Sequence, residues 1–294
     1  SCIRRIRPDI IYTQGIDMLF VAWLYSLGKK RKPKLFYEVA DVHSLLIDPQ
    51  RGMLKKTAQK LLVRMDAYLC RHIDLLVNTS EKYYEVYFSK FVLKDKILVM
   101  PNVPEPSVFK DYERKVRGIF TVGFIGAIRY KEQLKMLIRV APKTSVNVFF
   151  AGSAFDDEIE VLSQNKDWIT YYGAYEHTTE AAKLYGMVDC IYSVYNADLA
   201  NVRIALPNRL YEAIYCELPI IVAKGTYLAE LVEKMGVGVA VSHKDETELE
   251  QVIKRLSTDK DYYNGFVKAC RVHKKSIAID PYNEQLQLAI DAVM

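Results

Sequence analysis

The stretch LPNRLYEAIYCELPIIVAKGTYLAELVEKMGVGVAV (206–241) decides the fold. Pro207 suits a helix start, and Arg209, Leu210, Tyr211 and Glu212 follow in the first turns. Glu217-Leu218-Pro219 ends the helix, and the apolar run IIVA begins a strand. An amphipathic segment over 226–235 and a second apolar run, VGVAVS (237–242), repeat the alternation. Helix, strand, helix, strand in so short a span is the pattern of a parallel sheet with helical crossovers.

The same rhythm extends through the chain. The same block holds FTVGFIGA (120–127), VNVFFAG (146–152), ITYYGA (169–174) and CIYSVY (190–195) upstream of PIIVAK (219–224). Amphipathic segments lie between them at 131–140, 179–186, 208–216 and, after the last strand, 245–256. An earlier block carries PDIIYTQ (8–14), KLFYEV (34–39), DLLVNTS (74–80) and KILVMPN (96–102). The fold class expected is α/β, with doubly wound, mostly parallel sheets whose near-continuous apolar strands are buried on both faces. The second block has six strands and the first only four. PEPSVFKDYERKVRG (104–118) mixes proline with charge and reads as the linker between them. No repeat of solenoid period and no low-complexity tract occurs.

Length and composition agree. The 294 residues predict two domains or one large one, and 50% apolar with 26% charged is a globular composition. No apolar run approaches the ~18 residues of a membrane-spanning helix. The start, SCIRRIRPDI, has no apolar core of a signal peptide. With 21 Tyr and 11 Phe, general disorder is not expected. Cys2, Cys70, Cys190, Cys216 and Cys270 are irregularly spaced, without a CxxC pair. They predict neither a disulfide framework nor a zinc site, and so a reduced, cytoplasmic chain. The five histidines show no metal-ligand spacing, so no metal is expected. Asp156-Asp157-Glu158 and Asp245-Glu246 read as helix-start acids, and Tyr171-Tyr172 as strand core.

Charge is uneven. Residues 1–115 hold 21 Lys/Arg and 13 Asp/Glu, net +8, whereas residues 116–294 are net −3. A basic first part suits an anionic partner (a membrane surface, a phosphorylated substrate or nucleic acid) or plain solubility. In GMLKKTAQKLLVRMDAYLCRHIDLL (52–76), Leu54, Ala58, Leu61, Leu62, Met65 and Leu69 form one helical face. Lys56, Lys60 and Arg64 form a basic stripe beside it. Such a pair of stripes fits an anionic membrane surface or, equally, a domain helix with a solvated face. Exposed aromatics interleaved with the basic residues are lacking, which excludes nucleic acid as the expected partner.

Two segments carry chemistry. In GFIGAIRYKEQLKMLIRVA (123–141) a strand ends at Gly126, a short turn carries Arg129 and Lys131, and a helix begins. Such turns at the C-terminal edge of a parallel sheet bind ligands; Gly126 permits close backbone approach and the two cations neutralise phosphate. The full GxGxxG and P-loop patterns are absent, against a dinucleotide enzyme or a P-loop NTPase. In the second segment, the helix starting at Asn208 offers free N–H groups to a diphosphate. One turn in, Glu212 is either an acceptor for two ribose hydroxyls or a solvated helix residue.

On these segments, in this order, the chain resembles the retaining GT-B glycosyltransferases of the glycosyltransferase family 4 type, which build bacterial capsule and O-antigen polysaccharides. PDIIYTQG, FYEVADVHS, DLLVNTSEKYYE and ILVMPNVPE look like strands and loops of the family's first domain, and GFIGAIRYKE like the phosphate turn of its nucleotide-sugar domain. The resemblance implies two Rossmann-like domains. Residues 1–111 would be a partial acceptor-side domain, 112–275 the nucleotide-sugar domain, and 276–294 a helix packing back on the first. It implies transfer of a sugar, with retention, from a UDP- or GDP-linked donor to a hydroxyl of a glycan or polyprenyl-linked acceptor, at the inner face of the plasma membrane. The donor is substrate, and no cofactor is implied.

Residue by residue, Glu212 matches the carboxylate that holds the donor ribose. Arg129 and Lys131 match diphosphate contacts, although more tightly spaced than usual, and Gly126, Asn208, Arg209 and Leu210 line the same donor side. Asp41 and His43, in the loop facing acceptor and transferred sugar, are the candidate catalytic residues. Many relatives carry a Glu eight residues before the ribose carboxylate, where this chain has Ile204. The family's first domain also opens with a strand, a Gly-rich loop and helices that this chain lacks, two or more βαβ units at about 30 residues each. The alternatives are a UDP-sugar epimerase of the same fold and a non-catalytic nucleotide-sugar-binding or partner-completed subunit.

Overall fold

The computed structural model describes residues 5–50, 52–115, 117–154, 157–277 and 279–293. Cys2 and Asp156 lie outside them. Among the described residues the strands are β1 (Ile10–Gln14), β2 (Lys34–Val39), β3 (Leu75–Asn78), β4 (Ile97–Val99), β5 (Thr121–Ile125), β6 (Asn147–Ala151), β7 (Ile169–Gly173), β8 (Cys190–Ser193), β9 (Ile220–Ala223) and β10 (Gly238–Val241). Each falls inside an apolar run read from the sequence. The early helices are α1 (Ile16–Ser26), α2 (Ser44–Ile47), α3 (Met53–Cys70), α4 (Glu81–Val86), α5 (Lys131–Thr144), α6 (Glu158–Ser163) and α7 (His177–Tyr185). The later ones are α8 (Ala200–Ile204), α9 (Asn208–Tyr215), α10 (Tyr227–Met235), α11 (Glu246–Thr258), α12 (Lys260–Lys274) and α13 (Asp280–Val293).

The chain forms two compact units: Ser1–Pro101 with Leu199–Leu206 and Asp280–Met294, and Asn102–Asp198 with Pro207–Ile279. The first holds a parallel sheet in the order β1-β2-β3-β4. One face packs Tyr37, Val39 and Leu76 against Leu19 of α1 and Leu69 of α3. The other carries Phe36, Leu75, Val77 and Leu98, with Leu286 and Ile290 of α13 laid across them. Period-two alternation thus sends each half of a strand to a different helical layer.

The second unit's sheet is parallel throughout, in the order β10-β9-β8-β5-β6-β7. Val122, Phe124, Val148 and Phe150 pack under Leu134 and Leu137 of α5 and Leu249 and Ile253 of α11. The alternate residues Ile125, Phe149, Ile191 and Val222 are buried too, so the opposite face is also covered. Strand order reverses between β5 and β8, and the crevice at the C-terminal ends of strands at such a switch point is where ligands bind.

Three local expectations change. The stretch 104–118 is not a free linker: Phe109 is buried beside Tyr185 and Tyr215, the Tyr112 hydroxyl donates to the Cys216 carbonyl, and Arg114 pairs with Asp189. Its aromatic side chains tie it to the second unit, so the units part at Pro101/Asn102 rather than at 111/112. Helix α8, inside the later block, belongs to the first unit, because Asp48 accepts the Ala200 N–H (2.6 Å) and Ser80 donates to the Ile204 carbonyl (2.8 Å). Tyr171 and Tyr172 are half-buried rather than core, since β7 is the edge strand. Asp157 and Asp245 stand at the N-caps of α6 and α11, Asp245 accepting the Glu248 N–H. Cys70, Cys190, Cys216 and Cys270 are buried free thiols.

Candidate donor site

The site begins where β5 ends. Gly123, inside the strand, gives way to Val188, whose Cγ1 a Cβ would meet at 2.4 Å. Gly126 follows with φ +127°, and a Cβ there would lie 2.4 Å from Nη2 of Arg209. The close approach that Gly126 permits is therefore to the arginine fork. Arg209 is in the first turn of α9, to which Pro207 is the N-cap. Its guanidinium lies 3.8 Å from the Phe124 ring centroid, its Nε donates to the Ile125 carbonyl, and its Nη1 donates to the Tyr195 hydroxyl.

Arg209 is 7% exposed, and no described carboxylate lies within ion-pairing distance of it. An arginine cannot deprotonate in a protein, and a buried charge without a counter-ion is costly. Two of its five N–H donors are used within the unit, so three remain for an anion at the switch-point edge.

Glu212 lies one turn further on the same helical face and is 5% exposed. It is not a solvated residue. Its Oε1 is 2.7 Å from Nε2 of His177, and its Oε2 accepts from the buried Tyr185 hydroxyl. The bond to Glu212 raises the His177 imidazole above its ordinary pKa against the opposing effect of partial burial. Burial, then the neighbouring Glu212 charge, drives the Tyr185 phenol far upward, so it stays a donor. Each carboxylate oxygen has a second lone pair, which leaves capacity for hydroxyl donors.

The other expected donor residues differ in setting. Leu210 is wholly buried and holds α9 to the core, while Asn208 is exposed at the start of the helix. Lys131 begins α5 and pairs with Glu158 at 3.0 Å. Arg129 is exposed in the turn after β5 and makes no ion pair with a described residue. Asp41 and His43 lie in the first unit, just past β2. Asp41 accepts from the Tyr83 hydroxyl (3.0 Å) and from Asn201 (3.3 Å). His43 is the N-cap of α2, its Nδ1 accepting the Leu45 N–H at 3.2 Å. Ile204 is a core residue of the first unit, 8% exposed among Leu19, Tyr37 and Val39.

Sequence reasoning passed over His177, Tyr185 and Tyr195. The available signal was position: His177 and Tyr195 both follow a strand on the C-terminal edge, after β7 and β8. The Tyr195 ring also meets Tyr130 (5.1 Å), which borders a polar cavity of about 470 Å³ between the start of α5 and the loops after β8 and β10. Among the described residues no group of three or more His, Cys, Asp or Glu is arranged to hold a metal ion.

Comparison with known proteins bears on this site. A family model described as "Glycosyl transferases group 1" matches residues 109–273. The succinoglycan biosynthesis protein ExoL of Rhizobium meliloti (strain 1021) is 24% identical over 268 residues, which is 85% of this chain and 64% of that protein. The chain thus spans less than two thirds of the length of this curated relative. Sucrose-phosphate synthase from Thermosynechococcus elongatus superposes with a TM-score of 0.75 at 16% identity, over 97% of this chain and 74% of that one. Anabaena Alr3699/HepE, in complex with UDP and glucose, superposes with a TM-score of 0.76 at 16% identity, over 97% and 78%. The architecture shared with these structures is the GT-B type, α/β with Rossmann-like parallel-sheet domains.

Proposed function

Because the chain belongs to the glycosyl transferases group 1 family, we propose that it is a GT-B glycosyltransferase, of the glycosyltransferase family 4 type, that moves a hexosyl group from a nucleotide sugar. The observation that carries this is Arg209: a buried guanidinium with no carboxylate partner among the described residues, at the switch point, on the turn of helix that also holds Glu212. Arg209 forks the donor diphosphate and stabilises it as leaving group, with Arg129 and the α9 N-terminus completing the cradle. Glu212, oriented by His177 and Tyr185, accepts the ribose hydroxyls. The UDP in the HepE complex supports UDP as the donor nucleotide, with GDP the alternative. The family resemblance supports retention of configuration. The ExoL relationship supports a part in polysaccharide building, and the family resemblance supports a glycan or polyprenyl-linked acceptor at the inner face of the plasma membrane. On that reading Asp41 and His43 meet acceptor and sugar, and the protein works as a peripheral membrane enzyme.

The test is thermal unfolding with UDP, GDP, ADP and CMP. At ~100-fold its dissociation constant a ligand stabilises the native state by about 2.7 kcal/mol. UDP is expected to raise the melting temperature. Arg209→Gln is expected to weaken UDP by about 1.5–3 kcal/mol, the worth of charged hydrogen bonds, and Glu212→Gln to weaken it separately. Absence of any nucleoside diphosphate shift would overturn the reading. One observation favours a second reading, a binding subunit without turnover: Ile204 packs into a core where relatives place a sugar-contacting Glu. Binding of UDP without transfer or hydrolysis of any UDP-hexose would select it.

A further inference from the structure

Between Asp48 and Asp66 the sequence has five Lys/Arg and no Asp or Glu. The structure puts most of this run on the first half of α3, where nearly every side chain is exposed. The buried residues of the helix, Asp66, Leu69 and Cys70, all lie in its second half. On the outward arc Met53 is 85% exposed, Leu54 88% and Leu61 69%. At 100° per residue, Lys56, Lys60 and Arg64 fall in a row beside them, all exposed. Toward the other end, the half-exposed Tyr68 stacks edge-on with Trp23 of α1 (5.5 Å), which meets Phe20 (5.9 Å). The adjoining helix continues the apolar surface through Met18, Val21 and Leu24.

We infer that this face of α3, with the aromatic edge it shares with α1, docks on an anionic lipid bilayer, Leu54 and Leu61 entering the headgroup region and Lys56, Lys60 and Arg64 pairing with lipid phosphates. Charge complementarity selects the occupant. A second copy meeting this face across a two-fold axis would set cations against cations, and an apolar protein groove would leave them unpaired. A bilayer surface takes both kinds of side chain at once, with aromatic rings at the same depth. The inference rests on the membrane-side acceptor proposed above and names the surface, but it does not depend on the donor site.

The experiment is co-sedimentation with vesicles of phosphatidylcholine and phosphatidylglycerol (7:3) and of phosphatidylcholine alone. Three proteins are compared: wild type, Lys56→Gln/Lys60→Gln/Arg64→Gln, and Leu54→Asn/Leu61→Asn. Wild type is expected on the anionic vesicles only, with binding that falls as salt rises. At roughly fivefold per cation near the surface, the triple variant loses on the order of 100-fold. The leucine variant loses roughly tenfold or more. Because all five side chains are exposed, both variants keep the wild-type melting temperature and UDP shift. Equal binding to both vesicles, no binding, or variants that bind as wild type would each overturn the inference. So would a dimer that Leu54→Asn/Leu61→Asn dissociates, since the face would then be a self-interface. Vesicle binding that follows the variants without any UDP shift supports the docking face and removes the donor reading; a UDP shift without vesicle binding does the reverse.

Discussion

At the residue scale the site is built on one contact that changes the meaning of a histidine. His177 is raised by its bond to Glu212. A group raised in the folded state stabilises fully below its unfolded pKa, about 6.5, and ceases to as pH rises through the folded value. Wild type is therefore expected to melt above His177→Gln at pH 6 by a margin that shrinks by pH 9; a margin flat over that range would mean the imidazole carries no charge-dependent role. Among the five histidines only this one meets the buried carboxylate, whereas His43 caps a four-residue helix. The sequence could not separate them, because the partner of His177 is 35 residues away and across a strand.

At the scale of elements, α3 is divided along its length between an exposed first half and a second half anchored through the buried Asp66, Leu69 and Cys70. Asp66, fully buried, accepts from the Tyr37 hydroxyl and the Cys70 thiol, and burial pushes its carboxyl up to about 6 from an ordinary 3.8. Its contribution is present below pH 3.8 and is lost as pH climbs through 6. Two pH units correspond to a cost on the order of 3 kcal/mol for holding the ionised form in place. Asp66→Asn is therefore expected to gain on wild type by that order between pH 4 and pH 7.5 in urea denaturation; a stability difference between the two proteins that is the same at both pH values would refute it. The strands were legible because β-branched and aromatic runs bounded by Gly and Pro need no tertiary information. Helix α8 was not assignable to its unit, because what holds it is Asp48, 152 positions away. Likewise the G-x-x-G of β5 was visible as a motif, but its purpose, space for Val188 and for the Arg209 fork, appears only when distant segments meet.

At the scale of the whole molecule, the chain crosses between its two units at Pro101/Asn102, Asp198/Leu199, Leu206/Pro207 and Ile279/Asp280. The last crossing delivers α13 to the sheet face of Phe36, Leu75, Val77 and Leu98. A variant ending at residue 279 is expected to bare that face and destabilise the first unit by roughly 5 kcal/mol, from apolar side chains worth 1.5–3 kcal/mol each when fully buried. Calorimetry should then show the first unit melting early or lost, with a second transition that still rises with UDP. A single unchanged transition would show α13 to be dispensable.

That crossing also sets a timetable for synthesis. The strands of the first sheet leave the ribosome early, but the helix that covers one of their faces is encoded some two hundred residues later. Through translation of the entire second unit, Phe36 and Val77 await a partner not yet made. The first unit starts folding first and finishes last, and in that interval its bare sheet is the nascent chain's surface most in need of a chaperone.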